Sequence, residues 1–99
     1  MDLINKNLKS LNEICKLHNV DTLYLFGSAL NGNFNKKSDI DFLVKFGLGD
    51  LENYFENYFH LKESLSELLG YGVDLLEEQT LSNPILKESI NKNKALIYG

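Results

Sequence analysis

Two aspartates stand one residue apart at the head of an apolar run, and they constrain the fold more than any other feature of the sequence. Asp39 and Asp41 open the segment "DIDFLVKF". Residues 40–46 are largely apolar, β-branched or aromatic, which predicts a buried strand. Side chains alternate across a strand, so both carboxylates should share one face while Ile40 and Phe42 enter the core from the other. Two like charges this close repel and are costly to desolvate, so the pattern indicates a ligand that offsets them.

A third carboxylate occupies the same kind of position later in the chain. Asp74 interrupts the short apolar run 73–76, in which Val73 and Leu75 would share one face while Asp74 points off the other. If this strand lies beside that of Asp39 and Asp41, three carboxylates converge. Such groups suit a hard divalent cation, most naturally Mg²⁺, which shares its coordination shell with substrate phosphates and water.

The pair Gly27-Ser28 ends the preceding apolar run and predicts a seat for phosphate. Glycine allows a phosphate to approach the backbone closely, and Ser28 supplies a hydroxyl. The N–H groups of the helical turn expected after it would add donors. The Gly-Lys-Ser/Thr spacing of a P-loop is absent from the sequence, so this would be a phosphate site of another type.

Hydrophobic periodicity predicts an α/β domain with a small central sheet, in which the 99 residues form a single domain, 1–99. Asp50 would cap the longest helix, and Ser82 or Asn83 would cap the last one, with Pro84 at its first position. The predicted helices are 3–18, 51–69 and about 84–91, with a short helix beginning near 29–30. The predicted strands are 22–26, 40–46, 73–76 and 95–98.

Composition narrows the function classes. The net charge is −4 and all ten basic residues are lysine, so we expect no direct binding to nucleic acid and no bidentate arginine clamp on a phosphate. The single cysteine, Cys15, should be a small core residue, and it excludes an intramolecular disulfide. We see neither a signal-peptide pattern nor a run of the roughly 20 apolar residues that a membrane span needs. A soluble, cytoplasmic protein is the expectation.

The spacing of these motifs resembles a known superfamily. Gly27-Ser28, ten intervening residues and then Asp39-Ile40-Asp41 are similar to the GS-x10-DxD signature of the DNA polymerase β nucleotidyltransferase superfamily. The short chain resembles the minimal nucleotidyltransferase (MNT) branch, which includes antitoxins of HEPN/MNT toxin–antitoxin pairs. The likeness extends to "VDLL" around Asp74 and to the final "NPILKESINKNKALIYG". It implies a polymerase β-like fold with a mixed sheet of about four strands and helices packed on it.

The resemblance also implies a chemistry for each motif. Such enzymes transfer a nucleoside monophosphate, most often AMP from ATP, to a hydroxyl and release pyrophosphate. By this likeness Asp39 and Asp41 hold two Mg²⁺ ions about 3.5–4 Å apart. Gly27 and Ser28 hold the β- and γ-phosphates, and Asp74 helps bind the catalytic metal and activates the acceptor hydroxyl. The implied partner is a HEPN-type RNase, modified on a tyrosine; a homodimer stays open.

The same residues also allow purely structural interpretations. Asp39, Asp41 and Asp74 could lie on a solvated strand edge, and Ser28 could simply cap a helix. Many relatives carry "GSRARG" where this chain has "GSALNG". The loss of these basic residues would weaken nucleotide binding or make activity depend on a partner. Lys36 and Lys37 could reach the phosphates instead.

Two competing functions follow. One is a catalytically weak module that neutralises a partner by contact. The other is a small-molecule nucleotidyltransferase, which usually needs a second domain.

Four aromatic residues on the long helix cannot all face the core, so some could meet a partner; they are Tyr54, Phe55, Tyr58 and Phe59.

Overall fold

The described part of the chain forms helices packed on a four-stranded sheet. The computed structural model describes residues 2–27, 30, 37, 39–49 and 51–99. The α-helices within these ranges are α1 (Asp2–Lys6), α2 (Leu8–Leu17), α3 (Tyr54–Leu69) and α4 (Pro84–Asn93), and the strands are β1 (Val20–Phe26), β2 (Ile40–Phe46), β3 (Val73–Glu77) and β4 (Ala95–Tyr98). Single 3₁₀ turns precede α3 and follow β3. None of these helices has the length and apolar character that a bilayer span requires.

The sheet is mixed and places the acidic strands side by side. Its strand order is β3-β2-β1-β4. Strand β1 pairs antiparallel with both β2 and β4, whereas β2 and β3 run parallel. The long helix α3 connects β2 to β3, as a parallel pair requires. The predicted α/β fold with a small mixed sheet is therefore confirmed.

The main core lies between the sheet and the helices α1, α2 and α3. Phe42 and Val44 of β2 are fully buried there, as are Leu61 and Leu65 of α3. Cys15 is also fully buried, as its helical position predicts. Leu8, the first residue of α2, is 40% exposed.

The first predicted helix, 3–18, is two helices in the structure. The break falls at Asn7, whose side-chain Nδ2 donates to the carbonyl of Leu3 at 2.8 Å. Its backbone N–H turns to the carbonyl of Ile4 at 3.1 Å. Asparagine side chains compete with the backbone for helical carbonyls, and that competition divides the helix here.

The other boundaries are close to those predicted. The α-helical part of α3 begins at Tyr54, because residues 51–53 form a 3₁₀ turn. The predicted cap Asp50 lies outside the described residues. Gly70 ends α3 in the left-handed conformation with φ 74°. The Asn83 side chain accepts the backbone N–H groups of Ile85 and Leu86 at 3.0 and 3.3 Å, so the predicted cap of α4 is confirmed.

The buried thiol of Cys15 should make the fold sensitive to alkaline pH. Burial raises its pKa from an ordinary 9.0 to about 12. Between these values the unfolded chain loses a proton that the folded chain keeps. The free energy of unfolding should therefore fall as pH rises, by up to about 1.4 kcal/mol per pH unit from this group.

The check is urea unfolding of the wild type and of Cys15→Ala at pH 8 and pH 10. The variant should be less stable at pH 8, because it leaves a cavity, but its stability should decline less between the two pH values. Equal declines in the two proteins would contradict the expected thiol linkage.

Candidate active site

Asp41 lies at the centre of the candidate site, on the second strand of the sheet. Its Cα pairs with Phe26 of β1 on one side and with Asp74 of β3 on the other. Residues in register share a face of the sheet, so the carboxylates of Asp41 and Asp74 stand next to each other. Asp41 is half-buried and Asp74 is exposed. The parallel pairing of β2 and β3 therefore brings together two of the three predicted carboxylates.

Gly27 packs closely against the side-chain carboxylate of Asp41. A Cβ atom at residue 27 would lie well inside 3.0 Å of Asp41 Oδ2, a distance that real Cβ atoms do not reach. Gly27 also has φ +77°, which side-chain-bearing residues rarely adopt. Its carbonyl accepts the N–H of Leu30 at 3.0 Å, so the backbone begins to turn here. The glycine of the predicted phosphate seat thus touches the central carboxylate.

Asp39 lies just before β2, beside a different glycine. The N–H of Ile40 donates to the carbonyl of Gly72 at 2.9 Å and joins the two segments. A Cβ atom on Gly72 would again approach well inside 3.0 Å, this time to Asp39 Oδ1. This role of Gly72 was not predicted; its one sequence signal is a second glycine soon after the helix-ending Gly70.

The described residues contain no group of three or more His, Cys, Asp and Glu side chains arranged to hold a metal ion. Asp41 and Asp74 form a pair, and Asp39 rests over Gly72. This donor set still fits Mg²⁺, because that ion is usually held by one or two carboxylates together with substrate phosphates and water. The metal-binding role of the three aspartates stays a prediction.

Most of the remaining residues considered for the site fall outside the described part of the chain. Ser28 is among them, so its place beside the phosphate is not seen. The same holds for Ala29 and Asn31, which replace the basic residues of many relatives, and for Lys36. Lys37 is described and exposed.

A tyrosine close to Asp74 was not predicted as part of the site. The hydroxyl of Tyr58 donates to the carbonyl of Leu75 in β3. Burial raises the pKa of Tyr58, and the negative charge of Asp74 raises it further. Tyr58 therefore stays protonated and holds the strand that carries Asp74. The aromatic cluster on the long helix was visible in the sequence, but its closeness to Asp74 depends on the α3–β3 packing.

Comparison with known proteins places this geometry in a family. The family model described as "Polymerase beta, Nucleotidyltransferase" matches residues 9–99. The chain is 37% identical to "Putative protein adenylyltransferase MJ1379" of Methanocaldococcus jannaschii, with 94% of this chain and 98% of that protein covered.

Solved structures share the fold. One described as "Structure of putative minimal nucleotidyltransferase" has a TM-score of 0.78 and 30% identity, over 96% of this chain and 95% of the other. An MNT antitoxin, in complex with a tri-AMPylated Shewanella oneidensis HEPN toxin, has a TM-score of 0.67 at 20% identity, over 97% of this chain and 72% of the other; at that identity the likeness shows the fold alone. The matched family model and the well-covered archaeal relative together show that this chain belongs to the polymerase beta family of nucleotidyltransferases.

Proposed function

We propose that this protein transfers a nucleoside monophosphate, most naturally AMP from ATP, to a hydroxyl on a partner protein. The observation that carries the proposal is the row formed by Gly27, which directly follows β1, and by Asp41 and Asp74 on the two neighbouring strands. It sets a glycine suited to phosphate beside two carboxylates suited to Mg²⁺. The name of the archaeal relative, a protein adenylyltransferase, supports a protein as the acceptor.

Each residue has a defined task in this reaction. Gly27 and Ser28 seat the β- and γ-phosphates, while Asp39 and Asp41, with Asp74, hold Mg²⁺. The acceptor hydroxyl oxygen bonds to the α-phosphorus as the bond to the β-phosphate oxygen breaks and pyrophosphate leaves. Asp74 accepts the hydroxyl proton. Bound Mg²⁺ would neutralise charge on the attacking and leaving oxygens.

The proposed partner is a HEPN-type RNase, for which this chain would serve as the antitoxin. A structural neighbour that is an MNT antitoxin in complex with a HEPN toxin supports this choice. The chain contains no arginine, so its own phosphate contacts must come from backbone N–H groups, hydroxyls and lysines. Dependence of activity on the bound partner would follow naturally from that composition.

The test is transfer of label from α-phosphate-labelled ATP, with Mg²⁺, into the protein encoded by the gene beside this one. Wild type should label the acceptor, and Asp41→Asn should lower the rate by at least about 100-fold, because the amide removes the central anionic ligand. Lys45→Gln serves as the control, since Lys45 is an exposed residue at the far end of the same strand.

Two results would overturn the proposal. In the first, no nucleotide of the four labels an acceptor that is demonstrably bound. In the second, Asp41→Asn labels as fast as wild type. If neutralisation of the toxin persisted in either case, the chain would act as a contact-only binding module.

A further inference from the structure

A groove runs along the outer edge of the sheet, between α3 and β3. Its first half has a volume of about 320 Å³ and includes Phe55, Phe59 and Leu76 in its lining. Its second half has a volume of about 520 Å³ and includes Phe59, Glu67 and Asp39. Phe59 lines both halves, so the two lie next to each other along α3. We refer to it below as the α3–β3 groove.

The first half of the groove is aromatic and open to solvent. Phe55 is 74% exposed and Phe59 is 58% exposed, although Tyr54 and Tyr58 beside them are half-buried. Phe55 and Phe59 lie four residues apart, so they are neighbours on one helical face. Neighbouring aromatic rings that are exposed in the free protein are typical of residues that become buried when a partner protein binds.

The second half of the groove is acidic. Three carboxylates line it, against one ammonium group: Asp39, Glu63, Glu67 and Lys62. A binding partner should therefore present apolar side chains to the aromatic half and lysine or arginine to the acidic half. A second copy of this chain fits this rule poorly, because it also carries a net charge of −4.

The acidic half leads to the candidate active site. Asp39 lines the groove and is one of the predicted metal-binding aspartates. Asp74 lies on β3 between Val73 and Leu75, which line the groove, although Asp74 itself does not line it. The outer edge of this strand is partly covered, because the hydroxyl of Tyr58 already bonds the carbonyl of Leu75. A partner would therefore bind here through side chains rather than by adding a strand.

We propose that the α3–β3 groove is the docking surface for the acceptor protein, which binds through an apolar and basic segment. This inference rests on the proposed function, because it identifies the surface that holds the acceptor beside the same site. Phe55 and Phe59 bind the apolar part of the segment. Glu63 and Glu67 bind its basic part, next to Asp39.

The test compares three variants with wild type, and the probe is the protein encoded by the gene beside this one. One variant is Phe55→Ser with Phe59→Ser, and another is Glu63→Lys with Glu67→Lys. The control is Leu17→Ser with Ile85→Ser, which removes two apolar side chains that are 81% and 80% exposed outside the groove. Affinity is measured without ATP, and transfer is then measured over a range of acceptor concentrations.

We expect both groove variants to raise the Kd and the KM for the acceptor by about tenfold or more. The KM for ATP and the kcat at saturating acceptor should stay unchanged, and the control should match wild type. Affinity of the wild type should fall as salt is added, and the charge-reversed variant should lose that dependence.

Three outcomes would overturn the inference. The groove variants could bind the acceptor as tightly as wild type, the control could weaken binding equally, or the serine variants could lose only self-association, which would assign the groove to a second copy. Tight binding by wild type without any transfer would instead overturn the proposed function. The affinities measured without ATP would still decide whether the groove is the docking surface.

Discussion

The Gly27→Ala variant is expected to lose about 100-fold in nucleotidyl transfer while remaining folded. The added methyl group would overlap Asp41 Oδ2, so the central carboxylate must move away from its place beside the proposed phosphate seat. Displacements of about 1 Å in a catalytic group can reduce rates by this factor. The substitution also forces a side-chain-bearing residue into φ +77°, which costs about 1–2 kcal/mol of stability.

Gly70→Ala is the matched control for this prediction. Gly70 has nearly the same conformation, with φ +74°, but a Cβ atom there would meet nothing within 4 Å. Both variants should therefore lose similar stability in urea unfolding, while only Gly27→Ala should lose label transfer. Equal transfer rates for the two alanine variants would show that the contact between Gly27 and Asp41 does not matter for catalysis.

The second large effect is expected on stability, from Phe42→Ala. Phe42 is fully buried in the main core and follows Asp41 on β2. Truncation of a buried phenylalanine typically costs about 3–5 kcal/mol through lost burial and the cavity left behind. Since small domains have a total stability of about 5–15 kcal/mol, the variant should lose much of its margin against unfolding.

Urea unfolding at neutral pH measures this effect, with Phe55→Ala as the matched control. Phe55 is 74% exposed, so its truncation should change the free energy of unfolding by no more than about 0.5 kcal/mol. A loss below 1 kcal/mol for Phe42→Ala, or equal losses in the two variants, would contradict the assigned core.

Much of the fold follows from local patterns that tertiary contacts do not override. The apolar runs of β2 and β3 and the cap at Asn83 carry strong local signals, and each appears where it was predicted. The break at Asn7 was missed because the same side chain is tolerated in helices elsewhere, and only its bond to the carbonyl of Leu3 shows the interruption. The buried Glu77 was missed because β3 continues one residue past its apolar run.

The candidate site was predictable where motif spacing and strand pairing agree. The alternation of β2 and β3 predicted the side-by-side placement of Asp41 and Asp74, given that the strands are neighbours. The position of Asp39 over Gly72 could not be predicted, because it depends on how the end of α3 enters β3. The exposure of Phe55 and Phe59 likewise depends on which face of α3 the sheet covers.

The edge position of β3 gives the protein a point at which catalysis can be lost without global unfolding. Gly27 directly follows an inner strand and Asp41 lies on one, whereas Asp74 lies on a strand with a single neighbour. Edge segments open at a lower free energy than strands paired on both sides. Detachment of β3 would separate Asp74, the proposed proton acceptor, from the proposed phosphate seat at Gly27 while β1 and β2 stayed paired. A partner bound against this strand would therefore raise the fraction of molecules in which Asp74 stays beside Asp41.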